Sequence, residues 1–145
     1  MKQSLALGMA IVVAGAALAH QGVQNPGVMA RMETMSVSKK AMNLMADMAS
    51  GARRFDAEQA QTALVELTAA LEEVPERFKE PHEDPKTEAL PIIWQQYDDF
   101  LALNTAAIKA VAKIDPASRA QLQATLTPAG VSCLDCHKTY RKEVK

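Results

Sequence analysis

The chain predicts an all-α fold, an antiparallel four-helix bundle, on three observations. Aromatic residues make up 4% of a chain that is 48% hydrophobic, so the core must be built from Ala, Leu, Val, Ile and Met. Ala, Leu and Met favour helix, whereas β-branched and aromatic residues favour strand. Apolar positions recur at steps of three and four, no segment alternates convincingly as a strand would, and two of the junctions are short enough to fold sequential helices back on one another.

Each helix has its own signals. From Val28 to Ser50 there is no proline, Met35, Met42, Met45 and Ala49 recur at helical spacing, and Gly51 follows as a C-terminal stop. Asp56 stands as an N-cap with Gln59 three residues on. Ala60, Leu64, Leu67, Leu71 and Val74 then form a bundle seam that Pro75 is expected to end. Pro75 to Pro91 holds Pro75, Pro81, Pro85 and Pro91 among many charges and reads as an irregular connection across one end of the bundle. The third helix is expected to start between Thr87 and Pro91 and to run to about Ile114, with Ile93, Tyr97, Phe100, Leu101, Asn104, Ile108 and Val111 facing inward. Asp115 is the expected N-cap of the last helical region, with Pro116 in its first position. Pro128 interrupts that region: either the fourth helix kinks there, or Thr127 caps a fresh helix that runs through Tyr140.

At 145 residues the chain holds one domain, preceded by a different kind of segment. Lys2 gives a short positive start, Leu5 to Leu18 is an uncharged apolar run, and Ala17-Leu18-Ala19 supplies small residues for a signal peptidase. Residues 1–19 therefore read as a signal peptide cleaved after Ala19, the alternative being an uncleaved membrane anchor, although a span needs roughly 20 apolar residues. The mature domain would be 20–145, periplasmic and free of the membrane. Sixteen basic and 17 acidic residues give a formal charge of -1, without the strong basic excess that nucleic acid calls for.

Cys133-Leu134-Asp135-Cys136-His137 carries the chemistry. Two thiols three residues apart on a helix can each add to one vinyl group of a haem, and the histidine beside the second then reaches the iron. Three other readings compete. A disulfide here would close a tiny loop and constrain little of the unfolded chain. A thioredoxin-like redox pair needs a βαβ context, and half a zinc site would need ligands that the chain does not cluster, His20 and His82 lying in expected loop segments. One covalently bound haem c, held by Cys133 and Cys136 with His137 on the iron, is the expected cofactor. For a second axial ligand the mature chain offers Met29, Met32, Met35, Met42, Met45 and Met48, and spacing does not choose among them.

The chain resembles the cytochrome c′ family over nearly all of the mature segment. The resemblance rests on Arg31 with a residue four later, Gly51 to Asp56 after the first helix, Pro91-Ile92-Ile93-Trp94 opening the third, and Cys133 to Arg141. In that family the position four after the arginine points at the distal face of the haem. Many members carry a bulky non-ligating residue there and have five-coordinate, high-spin iron; the low-spin c-556 type has methionine and a His/Met iron. The resemblance therefore implies Met35 as the distal ligand. It also implies that Arg31, one turn away on the same face, approaches a haem propionate, against the plain reading of a solvated arginine. Arg141 would lie near the proximal face, tuning the histidine or adding surface charge. Pro128 departs from the pattern, since the family's last helix is normally continuous there.

Trp94 and Tyr97 are expected in the core, and His82 is expected to be exposed. Lys138, Arg141, Lys142 and Lys145 form either a docking patch for an acidic redox partner or an ordinary solvated terminus. The function implied is a one-electron carrier and not an enzyme, serving unidentified redox partner proteins. The alternative is a five-coordinate protein that binds nitric oxide or carbon monoxide on an open distal face. Family relatives often pair through their first two helices, so a homodimer through helices one and two is permitted by small residues such as Ala46, Ala49 and Ala52.

Overall fold

A computed structural model describes residues 22–143, so the expected signal peptide lies outside the described residues. The elements are α1 (Pro26–Ser50), α2 (Ala57–Arg77), the single turn α3 (Ile92–Gln95), α4 (Tyr97–Val111) and α5 (Arg119–Tyr140). Helix α1 packs on α2 and α5, and α4 packs on the same two from the opposite side, which closes a four-cornered bundle of the four long helices.

The helix ends follow local chemistry. Asn25 accepts from the amides of Gly27 and Val28, and Pro26 occupies the first turn, where a missing N–H costs nothing, so α1 starts two residues before Val28. Gly51 ends it at φ 83°, a left-handed conformation that glycine takes without a Cβ penalty. Asp56 caps α2 through the Gln59 amide at 3.0 Å, as expected. The segment before α1 is not loose. Val23 is buried, and Asp84 accepts from the backbone amides of Gln24, Asn25 and Lys86, tying the lead-in to the connection.

Three expected boundaries are corrected. Pro75 does not end α2, which continues to Arg77. A proline leaves the carbonyl four residues earlier without its helical donor; here that is Leu71, and the buried Asn104 side-chain amide of α4 donates to it at 3.1 Å. The phenol of Tyr97 donates to the Pro75 carbonyl at 2.7 Å. Asp115 does not cap the last helix either. Its carboxylate is spent on the Ala117 amide and the Gln121 side chain, while Ser118 accepts from the Gln121 amide and starts α5 at Arg119. Finally, the third helix, expected as one helix to about Ile114, is divided at Gln96 (φ -127°, ψ 44°) into α3 and α4 and ends at Val111. Of the two readings at Pro128, a fresh helix capped at Thr127 is not formed, and α5 runs on through Pro128 to Tyr140.

The core has two parts. One is aliphatic and sulfur-rich: Met45, Met48, Leu67, Val111 and Leu122 are fully buried, with Ala41, Ala60, Ala63 and Ala129 letting the helices approach closely. The other is aromatic: Phe78, Phe100 and Tyr140 are buried with Val74 and Ile93, and Trp94, Tyr97, Met35 and Cys136 pack against them. Phe100 is the hub, with ring centroids 5.2 Å from Phe78 and 5.4 Å from Tyr140.

Candidate haem centre

The inner stripe of α5 builds the centre. Leu122, Leu126 and Ala129 are buried, and the same face continues through Cys133, Cys136 and His137, all half-buried, to buried Tyr140. Both thiols are free. Burial raises the Cys133 thiol and pushes Cys136 up to about 11, with Cys133 adding to the latter. Each thiol therefore keeps its hydrogen at neutral pH. Burial lowers His137, and the nearby Arg141 guanidinium adds to this while Glu88 opposes it. The imidazole is thus favoured in its neutral form, the one that ligates metals.

Of the methionines, Met35 is the one that packs in the aromatic cluster with Cys136. Met45 and Met48 are fully buried in the aliphatic cluster, and Met42 packs against it. Met29 lines a groove between α1 and α2.

Arg31 is not a solvated arginine at a helix start: it is 3% exposed. Its Nε donates to the Arg77 carbonyl at 2.9 Å, Nη1 to His82 at 3.3 Å, and Nη2 to Glu80. The guanidinium carbon lies 5.2 Å from the Phe78 ring centroid and 4.8 Å from that of Trp94. Carbonyls at and beyond the end of α2 are thus satisfied by a helix that neighbours it, and burial lowers the Arg31 pKa. Among the described residues, three of the five N–H donors of the guanidinium are used in this way. His82, expected to be exposed, is half-buried with its ring against Gly27, where any Cβ would collide with it. Trp94 donates to the Phe78 carbonyl at 2.8 Å, a core role as expected.

Arg141 pairs with Glu88, at 2.6 Å and 2.7 Å to the same carboxylate oxygen. Lys138 pairs with Asp135 at 3.1 Å, and the Lys142 ammonium donates to the Thr87 carbonyl. Among the described residues Lys138, Arg141 and Lys142 therefore each have a nearby acceptor, and Lys145 lies outside the described residues. Glu88 carried no signal in the sequence, since it stands in an irregular segment 53 positions before its partner. Phe78 likewise lay outside every periodic stripe.

The donor set fits a covalently held haem: two free, half-buried thiols and a neutral imidazole on one helix stripe, a thioether in the same aromatic cluster, and apolar walls. Residues 27–141 match the family model described as Cytochrome C′. The chain belongs to the cytochrome c′ family. A cytochrome c-556 of Agrobacterium tumefaciens (strain apple 185) is 32% identical over 116 residues, spanning 77% of this chain and 91% of the relative. A cytochrome c-554 of Cereibacter sphaeroides is 32% identical over 116 residues, spanning 75% and 76%. Among solved structures, cytochrome c′ from Rhodobacter spheriodes superposes with a TM-score of 0.74 at 28% identity, covering 81% of this chain and 96% of that one. Haem c, bonded covalently, is the cofactor of this family, and this chain has two cysteines to hold it. Among the described residues no helix is long and apolar enough to cross a membrane.

Proposed function

We propose that this cytochrome is a periplasmic one-electron carrier whose low-spin haem iron is held by His137 and Met35. One observation carries the reading: of the methionines, Met35 packs in the aromatic cluster that also receives Cys136. Relatives named cytochrome c-556 support it. When bound, the haem supplies the Fe(III)/Fe(II) couple. The chain supplies two axial donors suited to both oxidation states, with an aromatic cluster packed against Met35 and Cys136, so transfer needs little rearrangement. Carrying electrons, and not turning over a substrate, is then its whole task. Arg31, with two further guanidinium donors, and Arg141 are the haem-edge contacts in this reading.

Absorption spectra of the oxidised and reduced holoprotein test this. Sharp low-spin α and β bands are expected, with a weak far-red band from the iron–sulfur bond, and Met35→Ala should turn the iron high-spin while the haem stays attached. A broad wild-type spectrum that shifts with carbon monoxide would refute it and favour the five-coordinate gas-binding reading. Export is tested by sequencing the N-terminus of the mature protein, expected at His20.

The partner surface follows from the outer face of α5. Val131 is 50% and Leu134 is 59% exposed, and residues 120–134 carry no charge, so a redox partner meeting this face should show electron exchange that depends little on salt. A second copy would seat in the α1–α2 groove, where Ala30, Val37, Ala69 and Ala70 form an apolar floor, and sedimentation of the holoprotein would detect the dimer.

A further inference from the structure

We propose that Glu88 is a positioning residue of the haem centre: by holding Arg141 it fixes the charges beside His137 and so sets the reduction potential of the iron. The inference rests on His137 as an iron ligand and is independent of whether Met35 is the other.

The backbone carries the first part. The Arg141 amide donates to the His137 carbonyl at 3.0 Å, so Arg141 caps the helix that carries the histidine. Immediately beyond it the chain forms an antiparallel bridge, Ala89 with Arg141. The Leu90 amide donates to the Tyr140 carbonyl at 2.9 Å and the Lys142 amide to the Glu88 carbonyl at 2.8 Å. The connection is thus latched onto the end of the haem helix by main-chain bonds on both sides of Arg141.

The side chains use that latch. An exposed ion pair usually contributes little, because two long side chains must be immobilised to make it. Here the main chain already fixes both segments, with Ala89 opposite Arg141 and Glu88 diagonal to it, which removes part of that cost. Both side chains are half-exposed, at 42% and 50%, so solvent screens the pair without dissolving its geometry. A cation near the iron disfavours Fe(III), which carries the extra positive charge, and so raises the potential; an anion favours Fe(III) and lowers it. The guanidinium and the carboxylate carry opposite charges, so they act on the iron with opposite signs. The potential then depends on where the guanidinium is held, and Glu88 decides that.

The test is a double-mutant cycle on the holoprotein with E88Q, R141Q and the double variant, read as midpoint potentials. E88Q should raise the midpoint by an amount equal to a three- to fivefold change in the Fe(III)/Fe(II) ratio, about 30–40 mV for one electron. R141Q should lower it. In the R141Q background the carboxylate is no longer held and turns to solvent, where it is screened, so the E88Q shift should fall to less than half. The nitrogen-15 NMR resonance of the Arg141 Nε–H should be slowly exchanging in the wild type and lost in E88Q. An unchanged E88Q midpoint, or the same shift in both backgrounds, overturns the proposal, as does an E88Q variant that only unfolds at lower temperature. A wild-type spectrum that is high-spin would refute Met35 ligation alone, since the Glu88 shift is equally measurable on that iron. A colourless wild-type protein, without haem, would overturn this proposal together with the proposed function.

Discussion

Replacing Asn104 with alanine takes the side-chain donor from the Leu71 carbonyl, the one that Pro75 leaves without a helical partner. Asn104 is 5% exposed, so water does not readily replace the lost donor. An unsatisfied buried acceptor costs roughly 1–3 kcal/mol, and Asn104→Ala should therefore destabilise the holoprotein by about 2 kcal/mol. Pro75→Ala restores an N–H four residues after Leu71 and lets the helix satisfy its own carbonyl. In that background Asn104→Ala should cost less than half as much, a coupling of about 1 kcal/mol. Urea unfolding followed by far-UV circular dichroism, with linear extrapolation, measures all four corners of the cycle. Penalties that add to within about 0.5 kcal/mol would show that Asn104 does not stand in for the missing N–H.

Three other perturbations have defined outcomes. Pro128 also removes a helical bond, but Ala124, whose carbonyl it leaves, is exposed and open to water; Pro128→Ala should stabilise α5 by about 1–3 kcal/mol with no change in the haem spectrum, measured by urea unfolding. Arg31→Met should destabilise by about 3 kcal/mol, since charge-assisted bonds to three carbonyls are lost, and Arg31→Lys should recover less than half of this because one ammonium does not match the planar fork; equal stability of wild type and Arg31→Lys would contradict that account. Asp84 is held below the usual carboxylate range by the amides of Lys86, Gln24 and Asn25. Its contribution to stability is therefore present above the unfolded value of about 3.9 and lost as pH falls through the lower folded value. Asp84→Asn should flatten the fall in urea midpoint between neutral pH and acid, and should speed hydrogen exchange at Gln24 and Asn25.

The long helices were legible because their signals are local. The cap at Asp56, the stop at Gly51 and the seam through Leu67, Leu71 and Val74 each depend on neighbours within a turn or two, and the structure keeps them. The Cys133–His137 motif was legible for the same reason. What the sequence withheld depends on distant partners. Pro75 reads as a stop until Asn104, 33 residues from Leu71, supplies the missing donor. Arg31 reads as a surface residue until the chain turns back at 77–82 to offer it carbonyls. Asp115 was displaced as a cap by Ser118, because both are good N-cap residues and the competition between them turns on the Ala117 and Gln121 contacts. The latch between 88–90 and 140–142 is too short to show strand periodicity at all.

The gathering of aromatic residues at one end of the bundle also equips the protein with an optical probe. Trp94 is the sole tryptophan of the chain, and it stands in the cluster that receives Met35 and Cys136, whereas the aliphatic end holds none. A haem seated there would quench its emission in the folded state, so recovery of fluorescence reports the opening of that end alone. Circular dichroism reports helices along the whole length. Coincident transitions would make the two ends a single cooperative unit, and an earlier rise in fluorescence would show the cofactor end opening while the aliphatic end stays folded.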